Sequence, residues 1–374
     1  MTDITLVVLC AGNSTRFGNK VKKQWLRVED KPLWLFVTQN LSSLHLFDKV
    51  IVVGHGDEIN YMKNFSTEFI YVQGGNTRQD SMKNALSKVD TPYVMFTDVA
   101  RSCVPADVIN ELIANKSKAD CIVPVIDVSD TVVFDGKTID RDKTKLIQTP
   151  QLSKTQMLKK SLETSALFTD DSSAIASIGG TLFYTKGSPK SKKITFSDDI
   201  DDIECLKKPD IVYLNGNGFD IHPFEENKKM FLGGVHIPCE YGFKAHSDGD
   251  VLIHSVIDAL LGAAGAGDIG EFFPDTDMSY SGIDSKILLE KIVDFIENVG
   301  FEIVNIDVTI IAQKPKISPY KIEIKESLSK LLRIKQNFLN IKATTAEKLG
   351  FIGRGEGVAV ISNATIKYNN WTKQ

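Results

Sequence analysis

Short apolar runs alternate with amphipathic segments along the first half of the chain. The runs 4–9, 49–54 and 93–98 are rich in β-branched and aromatic residues, which predicts buried strands. Between them, 32–44 and 78–89 carry apolar residues at helical spacing. Strands that alternate with helices predict a Rossmann-like α/β domain with a mostly parallel sheet. Ligands of such sheets bind beyond the carboxyl ends of the strands.

The second half has a different pattern and predicts an α+β domain. Its segment 286–301 is strongly amphipathic, which indicates a helix, whereas 303–313 and 357–366 favour strands. A further apolar stretch, 251–267, is short for a membrane span and is interrupted by a histidine and an aspartate. We therefore expect a buried helix there and no membrane partner.

The length of the chain indicates a boundary between these halves. A chain of 374 residues exceeds one ordinary core, so two domains are expected. Pro209 and two glycines fall between periodic segments in 207–220, which indicates a break. We place the boundary close to residue 210, so that the domains are 1–209 and 210–374.

Charge and cysteine content narrow the class of protein. The formal net charge of −4, without a densely basic stretch, argues against a nucleic-acid partner. The cysteines are scattered and odd in number, and their spacing indicates neither a disulfide framework nor a thiolate zinc site. With no signal-peptide pattern at the N-terminus, we expect a reducing, cytoplasmic location. The cysteines are Cys10, Cys103, Cys121, Cys205 and Cys239.

A loop of small residues follows the first predicted strand. Its sequence AGNST begins at Ala11 and Gly12 and allows backbone N–H groups to approach a phosphate closely. It is neither a G-x-x-x-x-G-K-[ST] loop nor a G-x-G-x-x-G fingerprint, so an ordinary loop without a ligand stays open at this point. Arg16 and Lys23 follow it and supply the positive charge that a triphosphate needs.

Other charged residues of the first half stand where strands end or helices begin. Arg78 opens a predicted helix, and Asp98 and Arg101 follow the third predicted strand. Asp98 could contact Mg²⁺ or a ribose, although a helix N-cap is the ordinary alternative. Lys193 precedes a capped helix and could face either a phosphate or solvent.

The order of these motifs resembles a known family. AGNSTRFG, KKQW, GGNTRQDS, TDVARS, TPQ, TDDSSA and KKIT occur as in the 2-C-methyl-D-erythritol 4-phosphate cytidylyltransferases, over about residues 1–205. The resemblance implies transfer of CMP from CTP to methylerythritol phosphate, with Mg²⁺ or Mn²⁺. It implies nucleotide contacts from Ala11, Gly12, Arg78, Asp98 and Arg101. It implies catalytic roles at the CTP phosphates for three cationic residues, Arg16, Lys23 and Lys193. It also implies that Thr131 and Arg141 are catalytic residues that hold the methylerythritol phosphate across a dimer arm.

The chain departs from this family pattern at several positions. Ser14 stands where the family has a second loop glycine, and Thr97, Val99 and Ser102 replace residues of the family's H-D-A-A-R-P stretch. A serine can hydrogen-bond in place of bare backbone, so we expect nucleotide binding to persist. A nucleotide sensor without activity is the alternative that these substitutions suggest.

Asp220 and His222 stand two residues apart in the apolar stretch GFDIHPF, so in a strand they project from one face. A catalytic zinc site commonly uses two histidines and a carboxylate. His254, on a predicted helix, would supply the third ligand. The ordinary alternatives are a solvated strand edge for the pair and a core position for the helix histidine. We expect His246, in a glycine-flanked loop, to face substrate and His236 to be structural.

The second half closely resembles the 2-C-methyl-D-erythritol 2,4-cyclodiphosphate synthases over about residues 215–368. FDIH, AHSDGDVLIH, GDIGEFFPDTD, DVTIIAQKPKI and ATTAEKLGFIGRGEG occur in family order and spacing. The resemblance implies Zn²⁺ on Asp220, His222 and His254, and Mg²⁺ or Mn²⁺ on Glu347. It implies substrate or nucleotide contacts from a larger set, with Thr345 catalytic at the phosphate: His246, Ser247, Asp268, Gly270, Asp275, Asp277, Ala312, Lys316, Thr344, Phe351 and Arg354.

Together the two resemblances imply a bifunctional enzyme of the non-mevalonate isoprenoid pathway. The second domain would cyclise 4-diphosphocytidyl-2-C-methyl-D-erythritol 2-phosphate and release CMP, so CTP, CDP or CMP and methylerythritol phosphates are the expected ligands. Because single-domain relatives are dimers and trimers, a closed assembly of six chains is expected. A zinc hydrolase fused to a nucleotide-binding domain is the competing interpretation.

Overall fold

The structure is a computed structural model that describes residues 2–274 and 276–372. The described residues divide into two units, 2–208 and 209–372 apart from residue 275. Asp275, a predicted substrate contact, lies outside the described residues.

A mixed sheet forms the centre of the first unit. The strands of this unit are β1 (Ile4–Leu9), β2 (Arg27–Val28), β3 (Lys31–Pro32), β4 (Lys49–Gly54), β5 (Ile70–Gln73), β6 (Tyr93–Asp98), β7 (Cys121–Asp127), β8 (Val132–Phe134), β9 (Lys137–Ile139), β10 (Lys145–Ile147), β11 (Gln151–Lys154) and β12 (Leu182–Lys186). Within the described residues, eight of them join in the order β10-β7-β11-β6-β1-β4-β5, with β12 beside β7. The central strand β1 pairs parallel with both β4 and β6.

Helices pack around this sheet. They are α1 (Leu33–Ser42), α2 (Ile59–Lys63), α3 (Arg78–Leu86), α4 (Ala106–Ala114), α5 (Thr155–Ser161) and α6 (Asp171–Ser177), with 3-10 turns at Lys23–Trp25, Arg141–Lys143, Pro189–Ser191 and Ser197–Asp202. The helix predicted over 78–89 begins where Thr77 and Asp80 form a capping box. This cap fixes the first turn of α3 beside the ends of the central strands.

The central strands are buried because their apolar runs are continuous. Val7, Ile51 and Phe96, from β1, β4 and β6, are 0 % exposed and share one core cluster. Each such side chain contributes about 1.5–3 kcal/mol when it leaves water. The carboxyl ends of the three strands are therefore held rigidly. The predicted strands 4–9, 49–54 and 93–98 are confirmed.

The structure corrects the expectation drawn from cysteine spacing. Cys103 and Cys205 form a disulfide, with their Cα atoms 5.8 Å apart. A separation of 102 residues leaves no local signal, because folding alone brings the two thiols together. The cytoplasmic location remains a prediction.

The second unit is built on another sheet with helices against it. Its strands are β13 (Tyr213–Glu226), β14 (Met230–Leu232), β15 (Val235–Ile237), β16 (Tyr241–Phe243), β17 (Phe301–Ile311), β18 (Leu339–Thr344) and β19 (Gly357–Tyr368). Its helices are α7 (Val251–Ala264), α8 (Ile269–Phe272), α9 (Ser285–Asn298), α10 (Lys321–Leu331) and α11 (Gly350–Gly353). The sheet runs β16-β13-β19-β17-β18. The second unit therefore contains both strands and helices, as predicted for an α+β domain.

The glycines predicted to mark a break lie instead inside strand β13. A Cβ atom on Gly218 would lie 1.9 Å from the Ser255 carbonyl oxygen, and one on Gly216 would lie 2.1 Å from that of Ala259. Helix α7 therefore crosses β13 too closely for any side chain at these positions. The glycines serve close packing, which the sequence alone does not separate from a flexible linker.

Within the apolar stretch 251–267, residues Val251–Ala264 form the buried helix α7, and Gly265 caps its carboxyl end. In the described part of the chain, no helix combines the length and apolar character that crossing a bilayer demands.

Candidate active sites

A cavity of about 430 Å³ lies at the carboxyl ends of β1 and β6 in the first unit. The loop after β1 and the first turn of α3 form its walls. This is where ligands of parallel sheets bind. The predicted residues that line it are Ala11, Gly12, Arg16, Lys23, Arg78, Asp98 and Lys193.

The Asp98 carboxylate lies between two cations. Its Oδ2 accepts a hydrogen bond from Lys193 Nζ at 2.5 Å, and its Oδ1 accepts one from Arg78 Nε at 3.3 Å. Burial alone would raise the pKa of Asp98, but the charges of Arg78, Lys193 and Arg101 hold it well below the usual value. Asp98 therefore stays ionised and fixes two cations at the cavity wall.

The ammonium group of Lys23 lies beside other cations. Its Nζ donates to the carbonyl oxygen of Ile194 at 3.1 Å. Burial, followed by the positive charges of Lys193 and Arg16, lowers the pKa of Lys23. Cations gathered at one wall are stabilised by an anion between them, so the cavity suits a polyphosphate.

Ser14 takes a backbone conformation that ordinarily favours glycine. Its φ of 56° lies in the left-handed region. Its hydroxyl accepts a hydrogen bond from Lys23 N at 2.9 Å and donates one to Gln24 Oε1 at 3.4 Å. The serine thus ties the loop after β1 to the 3-10 turn that carries Lys23.

Three predicted residues do not line this cavity within the described chain: Arg101, Thr131 and Arg141. Arg101 instead donates from Nη1 to the Ser191 carbonyl oxygen at 2.6 Å, in the turn just before Lys193. Thr131 and Arg141 flank the hairpin formed by β8 and β9, and both are exposed.

Sequence analysis did not select His55, Asn76 or Ser81, although all three line the cavity. His55 directly follows β4, and a position just after a parallel strand is the signal that could have found it. Asn76 and Ser81 belong to the motif GGNTRQDS, from which only Arg78 was selected.

Asp220, His222 and His254 converge in the second unit. Asp220 Oδ2 lies 3.2 Å from His222 Nε2 and 3.3 Å from His254 Nδ1. The three ligand atoms all lie within 4.8 Å of one another. Strand β13 presents the first two side chains on one face, and α7 brings the third to them. Neither a solvated strand edge nor a core histidine describes this cluster.

Hydrogen bonds on the far side of each imidazole fix which nitrogen faces the cluster. His222 Nδ1 donates to the Gly249 carbonyl oxygen at 2.8 Å, so Nε2 offers its lone pair. His254 Nε2 lies 3.2 Å from Ser247 Oγ and 3.0 Å from Ser285 Oγ, which leaves Nδ1 for the cluster. Such outer partners are typical of metal-ligating histidines.

Asp250 determines where α7 begins and hence where His254 lies. This fully buried carboxylate accepts hydrogen bonds from the backbone N–H of Ile253 at 3.1 Å, of Gly233 at 2.9 Å and of Gly234 at 2.7 Å. A helix cap of this kind stabilises by about 1 kcal/mol. Here it also anchors the hairpin of β14 and β15 to the start of the helix.

Only one oxygen of the Asp220 carboxylate is satisfied by hydrogen bonding, since Oδ1 accepts from Ile221 N at 2.8 Å. Burial would raise its pKa, but the neighbouring imidazoles of His222 and His254 hold it well below the usual value. Its Oδ2 is nevertheless buried and accepts no hydrogen bond of good geometry. An anionic oxygen of this kind beside two imidazole nitrogens fits a divalent cation with nitrogen and oxygen ligands. The three residues form a candidate metal site.

The candidate metal site belongs to a cavity of about 340 Å³, which His246, Ser247 and Gly270 also line. Asp258, which sequence analysis did not select, lines it too and accepts a hydrogen bond from Ile269 N at 2.9 Å. The other predicted contacts do not line it within the described chain: Asp268, Asp277, Ala312, Lys316, Thr344, Thr345, Glu347, Phe351 and Arg354.

Comparison with known proteins accounts for both units. Residues 4–207 match the family of 2-C-methyl-D-erythritol 4-phosphate cytidylyltransferase, and residues 213–367 match the YgbB family. The Bifunctional enzyme IspD/IspF of Aliarcobacter butzleri is 66% identical over 374 residues, covering 100% of both chains. Its counterpart from Campylobacter lari is 52% identical over 373 residues, again covering 100% of both.

A solved structure extends the match to the fold. The structure of the Bifunctional IspDF from Campylobacter jejuni has a TM-score of 0.87 and 47% identity to this chain, and it covers 100% of both chains. This similarity confirms the predicted fold class of each domain. The chain therefore belongs to the bifunctional IspD/IspF family, in which a cytidylyltransferase and a cyclodiphosphate synthase of the non-mevalonate isoprenoid pathway are joined in one polypeptide.

Proposed function

We propose that the first unit transfers CMP from CTP to 2-C-methyl-D-erythritol 4-phosphate and releases pyrophosphate. The observation that carries this proposal is the set of cationic side chains around one cavity: Arg16, Lys23, Arg78 and Lys193. Phosphoryl transfer asks a protein mainly for positioning and for neutralisation of charge. The phosphate oxygen of the acceptor attacks the α-phosphorus in line, and pyrophosphate leaves on the opposite side.

Each wall of the first cavity has its own role in this proposal. The backbone of the loop after β1 binds the triphosphate, and Arg16, Lys23 and Lys193 stabilise the charge of the transition state. Asp98 holds its neighbouring cations in place, and it would contact the ribose or a Mg²⁺ or Mn²⁺ ion bound with the triphosphate. Arg101 orders the turn before Lys193.

In this proposal, two copies of the chain contribute contacts to the acceptor substrate. We infer that Thr131 and Arg141 reach the methylerythritol phosphate of a second copy of the chain. They flank the β8–β9 hairpin, where Val133 is 62 % exposed and Phe134 is 73 % exposed. Apolar side chains at such exposure are typical of a surface that another protein covers.

We propose that the second unit cyclises 4-diphosphocytidyl-2-C-methyl-D-erythritol 2-phosphate and releases CMP. The 2-phosphate of the substrate attacks the β-phosphorus, and CMP leaves. The convergence of Asp220, His222 and His254 carries this proposal, because their donor set fits Zn²⁺. Zinc bound there would polarise phosphate oxygens as a Lewis acid and hold them in place. His246 and Ser247 border the substrate.

A second copy of the chain completes the synthase site in this proposal. Thr345 and Glu347 hydrogen-bond to each other at 3.0 Å on an exposed loop, away from the cavity of their own chain. They would meet the diphosphate of a neighbouring copy, with Mg²⁺ or Mn²⁺ on Glu347. Ala312 and Lys316 would form the cytosine pocket. Trimer contacts here and dimer contacts in the first unit would close an assembly of six chains.

Two assays on one preparation test the activities. Pyrophosphate release from CTP and methylerythritol 4-phosphate reports the first unit, and CMP release from the synthase substrate reports the second. We expect Lys23→Ala to lose the first activity and keep the second, and His254→Ala to do the reverse. Loss of both activities in either variant would contradict the assignment of one reaction to each unit.

Subunit mixing tests whether copies share the synthase site. His254→Ala and Glu347→Gln should each lack CMP release alone. When the two variants are mixed and allowed to exchange, random pairing in a cyclic assembly should restore about a quarter of the wild-type rate, because one site in four receives both intact halves. A mixture that stays inactive after proven exchange would place both halves in one chain.

A further inference from the structure

A buried carboxylate lies behind the wall that carries Lys23. Glu58 is 2 % exposed and directly precedes α2. Its Oε1 accepts a hydrogen bond from Lys22 Nζ, and its Oε2 accepts one from Trp25 Nε1 at 2.6 Å and one from Gln24 Nε2 at 3.3 Å. One carboxylate thus holds the residues on both sides of Lys23.

The 3-10 turn at Lys23–Trp25 explains why Glu58 contacts the neighbours of Lys23 and not Lys23 itself. Side chains three residues apart eclipse in such a turn, so Lys22 and Trp25 lie on the same side. Trp25 N–H closes the turn on the Lys22 carbonyl oxygen at 2.8 Å. Lys23 projects instead toward the cavity, where it reaches the Ile194 carbonyl oxygen.

The same network reaches the loop after β1. Gln24 Nε2, which contacts Glu58, also donates to the Gly12 carbonyl oxygen at 3.1 Å. Ser14 Oγ donates to Gln24 Oε1 and accepts the backbone N–H of Lys23. The loop and the lysine are therefore fixed relative to each other through one buried amide.

The surroundings of Glu58 make this network rigid. The ring of Trp25 stacks on Tyr61 at a centroid distance of 5.3 Å and packs against Phe65 at 5.7 Å and Trp34 at 6.1 Å. A buried charge among apolar groups depends on its few polar partners, because water cannot replace them. The aromatic cluster and the carboxylate together hold the turn in place.

We propose that Glu58 is a positioning residue of the cytidylyltransferase. It acts through the turn 22–25 and sets where Lys23 Nζ and the phosphate-binding loop meet the nucleotide. The inference rests on the role proposed above for Lys23. Glu58 itself does not line the cavity in the described chain, so it does not act by touching substrate. A displacement of a catalytic group by roughly 1 Å lowers a rate by about 100-fold.

A double-mutant cycle in the full chain tests this role. Pyrophosphate release is measured for wild type, Glu58→Ala, Lys23→Ala and the double variant. We expect Glu58→Ala to lower kcat/KM about 100-fold in the wild-type background. In the Lys23→Ala background the further loss should stay below about 3-fold, because effects that act through one group are not additive. A merely destabilising change would lower the rate equally in both backgrounds.

Two further variants sharpen the cycle. Glu58→Gln keeps an oxygen that can accept from Trp25 and Gln24, so it should recover much of the activity that Glu58→Ala loses. Glu68→Gln, at an exposed position of the same unit, should match wild type.

The outcomes distinguish the role proposed for Glu58 from the role proposed for Lys23. Equal losses in both backgrounds, or full activity of Glu58→Ala, would overturn the role of Glu58. If Glu58→Ala does not fold, the same cycle with Glu58→Gln decides, since its smaller loss must again vanish without Lys23. Full activity of Lys23→Ala would instead overturn the role proposed for Lys23.

Discussion

His254 Nδ1 lies 3.3 Å from Asp220 Oδ2, and this contact joins helix α7 to strand β13. Two separate structural features bring these atoms together. The alternation of side chains along β13 places Asp220 and His222 on one face, and the Asp250 cap fixes the start of α7 one turn before His254. The cluster is thus preorganised by the packing of a helix on a strand.

Removal of one ligand should empty the metal site without harm to the fold. In His254→Ala, two protein ligands remain, which is too few for tight zinc binding. Zinc content after dialysis, measured by atomic emission, should fall from about one ion per chain to near zero. His236→Ala is the matched control, because His236 is exposed on β15 and should leave zinc content unchanged. Full retention of zinc by His254→Ala would contradict the assignment of this ligand.

The close contact between β13 and α7 predicts a sharp difference between two glycines. A Cβ atom on Gly218 would clash with the Ser255 carbonyl oxygen at 1.9 Å, and backbone cannot move aside cheaply. Gly218→Ala should therefore lower the free energy of unfolding of the second unit by about 3 kcal/mol or more. It should also weaken zinc binding, because His254 lies on the displaced helix.

Gly262 is the matched control for this contact. It lies in the same helix, and a Cβ atom there would meet nothing closer than 3.9 Å. Gly262→Ala should leave the second unit as stable as wild type or up to about 1 kcal/mol more stable, because alanine favours helix. Thermal unfolding of both variants measures the difference, and equal midpoints would contradict the clash.

The lowered pKa of Lys23 predicts the alkaline limit of the transferase. Burial and the charges of Lys193 and Arg16 favour the neutral amine, so Lys23 loses its proton below the usual pH range of lysine. The rate of pyrophosphate release should fall as pH rises through that lowered pKa. Lys23→Arg keeps its charge, so its rate should be lower overall but should decline only at higher pH. Identical alkaline limbs for both proteins would assign the limb to another group.

Asp171 predicts a pH dependence of the stability of the first unit. It is fully buried at the first residue of α6, with Arg78 Nη2 at 3.5 Å. Burial raises the pKa of Asp171 to about 7; the charge of Arg78 opposes this shift, and those of Asp170 and Asp98 add to it. The folded unit therefore holds a proton that the unfolded chain releases near pH 4.

The sign of this linkage follows from the raised pKa. Between about pH 4 and 7 the folded state binds more protons, so the free energy of unfolding falls as pH rises. Asp171→Asn removes this titration. The difference in free energy of unfolding, variant minus wild type, should therefore rise by about 3 kcal/mol when the pH is raised from 5 to 8. Denaturant unfolding followed by tryptophan fluorescence measures the change, and parallel curves at the two pH values would contradict it.

The convergence of Asp220, His222 and His254 could be predicted because its signals are local. The sequence shows that Asp220 and His222 are two residues apart and that His254 lies in an apolar, helical segment. The resemblance to a known family connects the pair with this histidine. Glu58 gave no such signal, because its partners at 22–25 are adjacent to it only after folding. The disulfide between Cys103 and Cys205 escaped prediction for the same reason.

At some positions the sequence signal has two meanings. Gly216 and Gly218 suggested a break, although a strand under a close helix needs the same residue. The resemblance implies that Thr345 meets the phosphate and that Glu347 holds a second divalent ion; within the described chain neither lines the cavity of Asp220, His222 and His254, so these roles stay predictions. A motif gives the composition of a site and does not say how many chains build it.

The position of β19 in its sheet determines when the second unit can fold during translation. It lies between β13 and β17, and it follows both in the chain. During translation, the sheet of the second unit therefore stays open until residues 357–368 have emerged. The central strand of the first unit, β1, is made before its partners, so that unit can fold while the second is still being synthesised. A chain whose translation stops between these points would carry a folded transferase and a β13 that can pair with β16 but not yet with β19.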